Sequence, residues 1–372
     1  IGACDWSSDV CSSDLATPAA VRETNRALVG TGLFRTVEVQ LPETAPEGPA
    51  TVPVEIVTEQ RLHRTISAGV RFETDGGPGG DVAWEHRNFL GAGETFRAAL
   101  DADTLEQSLS ASLRTPDFFG RSRSLLAETE AVRETTDAFD SLAINARAGV
   151  EQRFTPELVG SLGLGYELSE ITEQGETTTF GLVFVPGLLR FDNTTAPLDP
   201  EAGVRARLEA TPFWDLFDTD LMFQRFRLDG STYLKLTDDP RLVLALRGAL
   251  GSIVGAERDD IPANRRFYAG GGGSVRGIPF QTAAPLDEND DPIGGRSLVE
   301  VAAELRYRIT DSIGAVVFVD GGRAFAASFP DFDERLEIGA GAGVRYFTPV
   351  GPLRVDVAVP VDRRKVDDAF QF

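Results

Sequence analysis

One glycine-rich stretch, "GGGGSVRGIPFQ" (residues 270–281), holds the residue types that most suggest a chemical role. Backbone N–H groups of clustered glycines can surround a phosphate, and an arginine among them can pair with its charge. The chain has no G-x-x-x-x-G-K-[ST] motif, however, and its pattern offers no strand and helix to carry one. We therefore reject a nucleotide-binding loop, which leaves a linker or an inward-folded plug.

A second run of glycines, "GAGAG" (residues 339–343), also misses the dinucleotide-binding spacing G-x-G-x-x-G. It lies in a segment of alternating apolar and polar residues, which is typical of a β-strand. We expect its glycines to let that strand bend or to let a bulky group pass close to it.

Catalytic and metal-binding patterns are missing from the sequence. There is no G-x-S-x-G element, and the only histidines, His63 and His86, stand far apart in the chain. We interpret both as ordinary residues of a barrel rim or interior rather than as metal ligands. The sequence thus predicts a protein that is not an enzyme and uses no cofactor or metal.

Bulk composition narrows the class of protein. The 372 residues carry a formal net charge of −22, and the mean hydropathy is −0.12. No apolar run approaches the roughly eighteen residues of a membrane-spanning helix, which excludes a helical membrane protein. The acidic balance argues against nucleic acid as a partner, because phosphate backbones are bound by clustered Lys and Arg.

The first fifteen residues, "IGACDWSSDVCSSDL", read as the translation of a sequencing-library adapter and are set aside as an artefact. Both cysteines, Cys4 and Cys11, fall in this stretch, so the remainder has no disulfide or thiol site. Without the three aspartates of the stretch, 55 of the 58 acidic residues remain against 36 basic ones. The acidity therefore belongs to the protein itself.

Residues 16–62 have the pattern of a small α+β module. The helix-forming run "AAVRETNRAL" precedes a turn, "VGTGLF", and two alternating runs, "RTVEVQL" and "ATVPVEIVTEQR". A loop that contains prolines and glutamates, "PETAPEGPA", joins the two runs. This pattern predicts the end of a small α+β domain.

Residues 63–372 change to one alternating segment after another. In "GVRARLEA", for example, Val204 and Ala206 face one side and Arg205 faces the other. A soluble β-sandwich also alternates, but its strands usually have five or six residues, whereas these segments reach the roughly nine to eleven that cross a bilayer at a tilt. Their length favours a membrane protein.

The number of segments indicates a barrel. About fifteen can be counted from Arg64 onward, and a closed bacterial barrel prefers an even number because open edges leave backbone groups unpaired in lipid. We expect a further strand to start at "DDAFQF", where the sequence ends. The predicted fold is an all-β transmembrane barrel of about 16 antiparallel strands, the last one truncated, preceded by the partial α+β module.

Arg276 is the residue of the glycine-rich stretch that could form ion pairs inside such a barrel. Counting with a period of two places Phe318 and Asp320 on one face of their strand, and Glu304 is an acid on the interior face of a neighbouring strand. If the loop folds inward, the guanidinium can fork onto these carboxylates. The alternative is a solvated loop arginine, and the residues leave both open.

Four segments, in this order, resemble motifs of the BamA/TamA family of outer-membrane assembly proteins. They are "SVRGIPF" for the family's VRGY/F element, "GGRSLVEVAAELRYRI" and "FVDGGRAF" for two later strands, and "GAGVRYFTPVGPLRVDVAVPV" for the hairpin that follows. The resemblance covers essentially residues 16–372 and is strongest after Arg265. It departs from the family pattern at Ile278, where an aromatic residue is usual, and at Arg323, where asparagine is usual.

The resemblance implies a lock between the loop and the barrel wall. Arg276 matches the motif arginine, and its implied partners are Glu304, Phe318 and Asp320. The remaining residues that match the lock motifs are Val275, Gly277 and Gly321. The resemblance also identifies residues 16–62 as the C-terminal part of the last POTRA domain and residues 63–372 as the barrel.

Within the family, "RFDNTTAPLDPEAG" and "SLVEVAAELRYRITDSIGAVVFVDGG" look more like the TamA branch than the BamA branch. The implied function is insertion and assembly of unfolded outer-membrane proteins, notably autotransporters. The implied partners are these clients, outer-membrane lipid and a periplasm-spanning inner-membrane protein of the TamB kind. The barrel would lie in the bacterial outer membrane and the POTRA portion in the periplasm. A BamA-type general assembly factor and a two-partner-secretion pore remain alternatives, whereas a passive porin has no need of a POTRA module.

Overall fold

The computed structural model describes residues 18–40, 54–73, 76–120, 122–218, 220–238, 241–348 and 351–371. The adapter-like residues 1–15, with both cysteines, and the link 42–50 lie outside the described residues. The chain divides into two compact units. One comprises residues 1–66 and 84–97, and the other comprises residues 67–83 and 98–372.

The smaller unit begins with the helix and strand pair that the sequence predicts. Helix α1 (Pro18–Gly30) is followed by strands β1 (Phe34–Gln40) and β2 (Glu55–Gln60), which pair antiparallel. The helix ends where Gly32 adopts a φ of +69° and donates its N–H to the carbonyl of Val29 at 3.1 Å. The helix is thus slightly longer than the ten residues predicted from the sequence.

A single antiparallel sheet takes up most of the chain from Arg64 onward. Its strands in chain order are β3 (Arg64–Glu73), β4 (Gly77–Arg87), β5 (Thr95–Ala102), β6 (Glu106–Pro116), β7 (Arg123–Thr135), β8 (Asp140–Arg153), β9 (Leu158–Glu173), β10 (Glu176–Phe184), β11 (Gly187–Asp192), β12 (Gly203–Asp215), β13 (Met222–Asp238), β14 (Arg241–Val254), β15 (Ser297–Arg308), β16 (Ile313–Phe325), β17 (Glu337–Thr348) and β18 (Gly351–Pro360). Consecutive strands are neighbours from β3 to β18, except that β10 and β11 do not pair with each other. All except β5 and β11 have nine or more residues, which agrees with the long segments predicted.

Strands β10 and β11 occupy one position in the sheet. Both pair with β9 on one side and with β12 on the other, and they are separated only by Val185 and Pro186. Proline has no N–H to donate to a ladder, so the strand is interrupted there. In the described part of the chain, sixteen strands of this sheet therefore fill fifteen positions. At the C-terminus, Gln371 forms an isolated antiparallel bridge with Ala358 of β18.

The two faces of the sheet differ in chemistry. Exposed and buried residues alternate along β16. Val317 and Val319 are 55% and 52% exposed, whereas Phe318 and Asp320 are 3% and 0% exposed. The same alternation continues on β18, where Leu353, Val355, Val357 and Val359 are all exposed. We call these sides the apolar face and the polar face. An exposed apolar surface of this extent needs a non-aqueous neighbour or a partner.

The largest apolar core lies between the polar side of the sheet and the long connection 255–296 that follows β14. Phe267 and Ile278 of this connection are buried against Phe223 and Leu298 of the strands. Strand β14 has Gly251 where a Cβ would overlap the Phe267 ring. The connection also contains a 3-10 helix, Ala263–Arg265. Among the described residues, no helix is long and apolar enough to span a membrane.

Candidate functional site

The glycine-rich stretch 270–281 folds tightly against the sheet. Gly270, Gly271 and Gly277 have φ values of +108°, +90° and +89°, which L-residues with a Cβ rarely adopt. The N–H of Gly271 donates to the carbonyl of Ile278 at 2.8 Å, which closes the loop on itself. Ile278 and Val275 are fully buried. The conformation directs Arg276, which lies between these two apolar residues, toward the strands.

Arg276 forms a forked ion pair with Asp320 of β16. Its Nε donates to Asp320 Oδ2 at 2.7 Å, its Nη2 donates to Oδ1 at 3.0 Å, and its backbone N–H donates to Oδ2 at 3.2 Å. The Asp320 side chain has no exposed surface, and that of Arg276 is 17% exposed. Forked guanidinium–carboxylate pairs are among the strongest hydrogen bonds in proteins. Arg276 is therefore not a solvated loop arginine.

Two further carboxylates complete the coordination of the Arg276 guanidinium. Nη1 donates to Glu304 Oε2 on β15 at 3.0 Å and to Asp356 Oδ2 on β18 at 3.1 Å. Arg345 of β17 also pairs with Asp356, and Arg306 donates to Glu304 Oε1 at 2.7 Å. The three arginines and three acids form one charge-balanced set, which we call the Arg276 site. Its members are Arg276, Glu304, Arg306, Asp320, Arg345 and Asp356.

Phe318 supplies the floor of this site. Its ring centroid lies 3.4 Å from the Arg276 Cζ, so the guanidinium stacks on the ring. Phe318 pairs with Glu304 across β15 and β16, which explains why the ring and the carboxylate meet the same arginine.

The glycines of "GAGAG" provide the space for this arrangement. A Cβ at Gly339 would overlap the carbonyl oxygen of Arg276, one at Gly341 the Phe318 ring, and one at Gly343 the Asp356 carboxylate. These three positions alternate along β17 and lie on its polar face. The glycines therefore let bulky groups pass close to the strand, one of the two roles expected from the sequence.

The electrostatics of Arg276 favour its charged form. Burial lowers the pKa of the guanidinium, but hydrogen bonds and charge from Asp320 and Glu304 outweigh burial, and the net shift is upward. Arginine is protonated in proteins at all ordinary pH values in any case. Arg276 can thus hold carboxylates by its positive charge, and in this protonated form it cannot accept a proton.

Two of the three other residues that match the lock motifs pack around Arg276. Val275 packs on Gly322, where a Cβ would meet its side chain at 2.8 Å. Gly277 lies so close to the backbone of Val359 that a Cβ would approach it at 3.0 Å. Gly321 belongs to the other face, where a Cβ would make only ordinary contacts of 3.7–3.8 Å.

The two departures from the family motif have local explanations. Ile278 is buried in the apolar core that contains Leu298 and Ala324, so an aliphatic side chain fills the position. Arg323 donates to Glu334 at 2.9 Å and to Glu337 at 3.1 Å, which places it in a separate ion cluster.

Sequence reasoning missed a second arginine site on the same connection. The Arg266 guanidinium forks onto Glu173 at the end of β9, at 2.5 and 2.9 Å, and also donates to the carbonyls of Ile261 and Ile293. Its side chain is only 3% exposed. We call Arg266 and Glu173 the Arg266 site. The paired arginines in "NRRFY" just before the glycines were the available signal. The connection is thus attached to β9 as well as to β15, β16 and β18.

The histidines are close in space although they are far apart in sequence. The ring centroids of His63 and His86 are 6.0 Å apart in an edge-on arrangement, and Trp84 and Phe89 contact His86. Within the described ranges, no group of three or more His, Cys, Asp or Glu residues is placed to hold a metal ion.

Comparisons with known proteins agree with this architecture. Residues 88–372 match the model of the Omp85 superfamily domain. The chain is 26% identical to the outer membrane protein assembly factor BamA of Nitratidesulfovibrio vulgaris over 95% of its own length and 46% of that protein. It is 28% identical to BamA of Neisseria meningitidis serogroup B, over 35% of this chain and 20% of that protein. The chain thus spans less than half the length of these curated relatives.

Solved structures show the same fold. BamA from Haemophilus ducreyi lacking POTRA domains 1–3 superposes with a TM-score of 0.79 at 20% identity, covering 95% of this chain and 77% of that one. CdiB from Acinetobacter baumannii superposes with a TM-score of 0.63 at 14% identity, covering 94% and 66%. The family match extends over most of the sheet and both arginine sites, and the chain belongs to the Omp85 superfamily.

Proposed function

We propose that this chain is an outer-membrane β-barrel that assists the insertion and assembly of outer-membrane protein clients. The observation that carries the proposal is the Arg276 site, which attaches a long connection to the polar face of a sheet whose other face is apolar and exposed. An apolar outer face suits lipid, and a charged inner face suits a water-filled interior. The BamA relatives are named as outer membrane protein assembly factors, which supports the same function here.

In this proposal the sheet closes around the connection, and the Arg276 site holds the connection inside. The buried ion pairs would fix the loop in one position while a client strand is added at the edge of the sheet. Residues 16–62 would be the end of the last POTRA domain in the periplasm, and residues 1–15 an adapter-derived artefact. Outer-membrane lipid would contact the apolar face. No enzymatic step or cofactor is part of this mechanism.

The test uses the full-length protein that carries this chain, reconstituted in vesicles of outer-membrane-like lipid. An unfolded porin-type client is added, and its folded, protease-protected fraction is followed with time. We expect client folding to be faster with the wild-type protein than with empty vesicles, and slower again with Arg276→Ala. A matched control is Arg123→Ala, because the exposed Arg123 side chain bonds only to Gln152 within the part of the chain that the structure describes. Equal rates for all proteins and for empty vesicles would overturn the proposal.

The narrower proposal is an assembly factor of the TamA type, with autotransporter clients and a periplasm-spanning partner of the TamB kind. It rests on the resemblance of "RFDNTTAPLDPEAG" and of strands β15 and β16 to that branch. The competing BamA type is a general assembly factor. Parallel assays with an autotransporter and a porin as clients distinguish the two, because only the TamA type should favour the autotransporter. Secretion of one dedicated protein without insertion of either client would instead identify a two-partner-secretion pore.

A further inference from the structure

A large cavity opens between the glycine-rich stretch and the polar face of the sheet. Its volume is about 850 Å³, and it is lined by Gly272 and Gly273 of the loop and by strands from β11 to β18. Sites for small ligands and cofactors usually measure roughly 300–1,000 Å³. A Cβ at either glycine would meet nothing within 4 Å, so the loop backbone leaves this space open.

The cavity is cationic in an acidic protein. Nine arginines line it against five carboxylates, although the whole chain has a formal net charge of −22. Some of these arginines are neutralised by acids, as in the pairs of Arg227 with Asp229 and of Arg205 with Asp192. Arg207, Arg276, Arg306 and Arg345 are also paired, with Glu209, Asp320, Glu304 and Asp356 respectively. The lining arginines that these acids do not neutralise are Arg190, Arg247 and Arg354.

Two pairs of arginines stand directly opposite each other on adjacent strands. Arg190 of β11 is in register with Arg207 of β12, and Arg345 of β17 is in register with Arg354 of β18. Like charges in this position repel each other unless acids compensate them. Arg207 and Arg345 have such acids, Glu209 and Asp356, so the uncompensated member of each pair is Arg190 or Arg354. Among the described residues, neither Arg190 nor Arg354 forms an ion pair with a carboxylate, and Arg354 reaches only the carbonyl of Leu198 at 3.5 Å.

A third lining arginine also has no carboxylate partner among the residues that the structure describes. Arg247 donates to the carbonyls of Gly273 and Ser274 at 2.9 and 2.5 Å, within the loop that borders the cavity. The Arg247 charge is therefore stabilised by carbonyl dipoles and is not neutralised by a carboxylate. Arg190, Arg247 and Arg354 together supply unpaired cations from three different strands.

We propose that this cavity binds a compact phosphate-bearing anion. Guanidinium groups fork onto phosphate oxygens as they do onto carboxylates, and several of them around one space favour a ligand with more than one negative charge. Such a ligand would supply the negative charge that Arg190, Arg247 and Arg354 lack. The inference concerns the cavity alone and does not depend on the proposed assembly function. The same phosphate chemistry is found in a soluble polyphosphate and in an anionic lipid headgroup.

The test measures binding of tripolyphosphate to the full-length, detergent-purified protein by titration calorimetry. We expect binding by the wild type and a loss of at least about tenfold in affinity for the double variant Arg190→Gln/Arg354→Gln. The control Arg123→Gln/Arg153→Gln removes the same charge from exposed positions outside the cavity and should bind as the wild type does. Heat-modifiable migration on gels checks that each variant is folded.

Two results would overturn the inference. One is the absence of tripolyphosphate binding to folded wild-type protein at millimolar concentration, and the other is an equal loss of affinity in the control variant. A further arm identifies the source of the ligand. If nanodiscs that contain phosphatidate displace tripolyphosphate, whereas phosphatidylcholine nanodiscs do not, the site takes a lipid headgroup. If neither competes, the site takes a soluble phosphate compound.

Discussion

Arg276 and Asp320 are joined by three hydrogen bonds although 44 residues separate them in the chain. The carboxylate is completely buried, so its charge is compensated by the protein rather than by water. A buried charge that loses its partner costs more than the pair contributed, because the remaining ion stays desolvated. We therefore expect this pair to oppose release of the glycine-rich stretch from the sheet.

Removing either member of this pair should loosen the connection. We expect Arg276→Ala and Asp320→Ala each to lower the free energy of local opening by about 3–5 kcal/mol, and the double variant to lose much less than the sum. Native-state proteolysis of the loop measures that free energy. Fully additive losses in this double-mutant cycle would show that the two side chains do not interact directly.

The glycines of β17 should be selectively intolerant of a side chain. Gly339→Ala would place a Cβ on the carbonyl oxygen of Arg276, and we expect a loss of about 1–3 kcal/mol in loop stability by the same proteolysis measurement. Gly321→Ala is the matched control, because a Cβ there makes ordinary contacts on the other face. The explanation of the "GAGAG" run fails if the two substitutions have the same effect.

The Arg266 site should be a second attachment of the connection, independent of the first. Arg266→Gln leaves Glu173 without its forked partner, and we expect protease cleavage near residue 266 at a loss of about 3–5 kcal/mol in opening free energy. Arg258→Gln on the same connection removes a pair with Asp259, whose side chain is 78% exposed, and should change that free energy by less than about 0.5 kcal/mol. A charge-reversed pair, Arg266→Glu with Glu173→Arg, should recover part of the loss, and no recovery would argue against pairing.

The apolar face should reject charge if it contacts lipid. We expect Val319→Arg to reduce insertion of the full-length protein into vesicles, at a cost of up to about 2–4 kcal/mol for a position near the bilayer centre. Phe329→Arg is the control, because Phe329 is 70% exposed in the connection between β16 and β17 rather than on a strand. The folded fraction is read from heat-modifiable gel migration. Equal insertion of both variants would mean that Val319 faces water.

Much of the sheet could be predicted from the sequence because alternation reports directly on the two faces. Counting by two separated Val317 and Val319 from Phe318 and Asp320, and the exposures agree with that separation. The resemblance to a known family then indicated which acids Arg276 would meet. The structure places both acids and Phe318 at the guanidinium. The interruption at Pro186 could not be located by alternation, because the strands on either side share the same neighbours.

The rest of the site depends on register, which a single sequence does not reveal. Asp356 lies near Arg276 because β18 pairs with β17 in a register that sets Asp356 opposite Gly343. No local sequence pattern specifies that register. Glu173 meets Arg266 because the long connection extends to β9, 93 residues away in the chain. Neither His63 nor His86 carries a signal that their rings lie together. In each case the contact is set by tertiary packing rather than by neighbouring residues.

The Arg276 site also makes strand register a chemical requirement. One guanidinium contacts β15, β16 and β18, and each contact uses a residue on the polar face. A slip of one residue in β16 would exchange the faces and present Val319 or Gly321 in place of Asp320. The arginine would then be buried against an apolar group without its carboxylate. Correct pairing of the C-terminal strands is thus a condition for the loop to bind the polar face. A bound loop therefore indicates that these strands have paired in the right register.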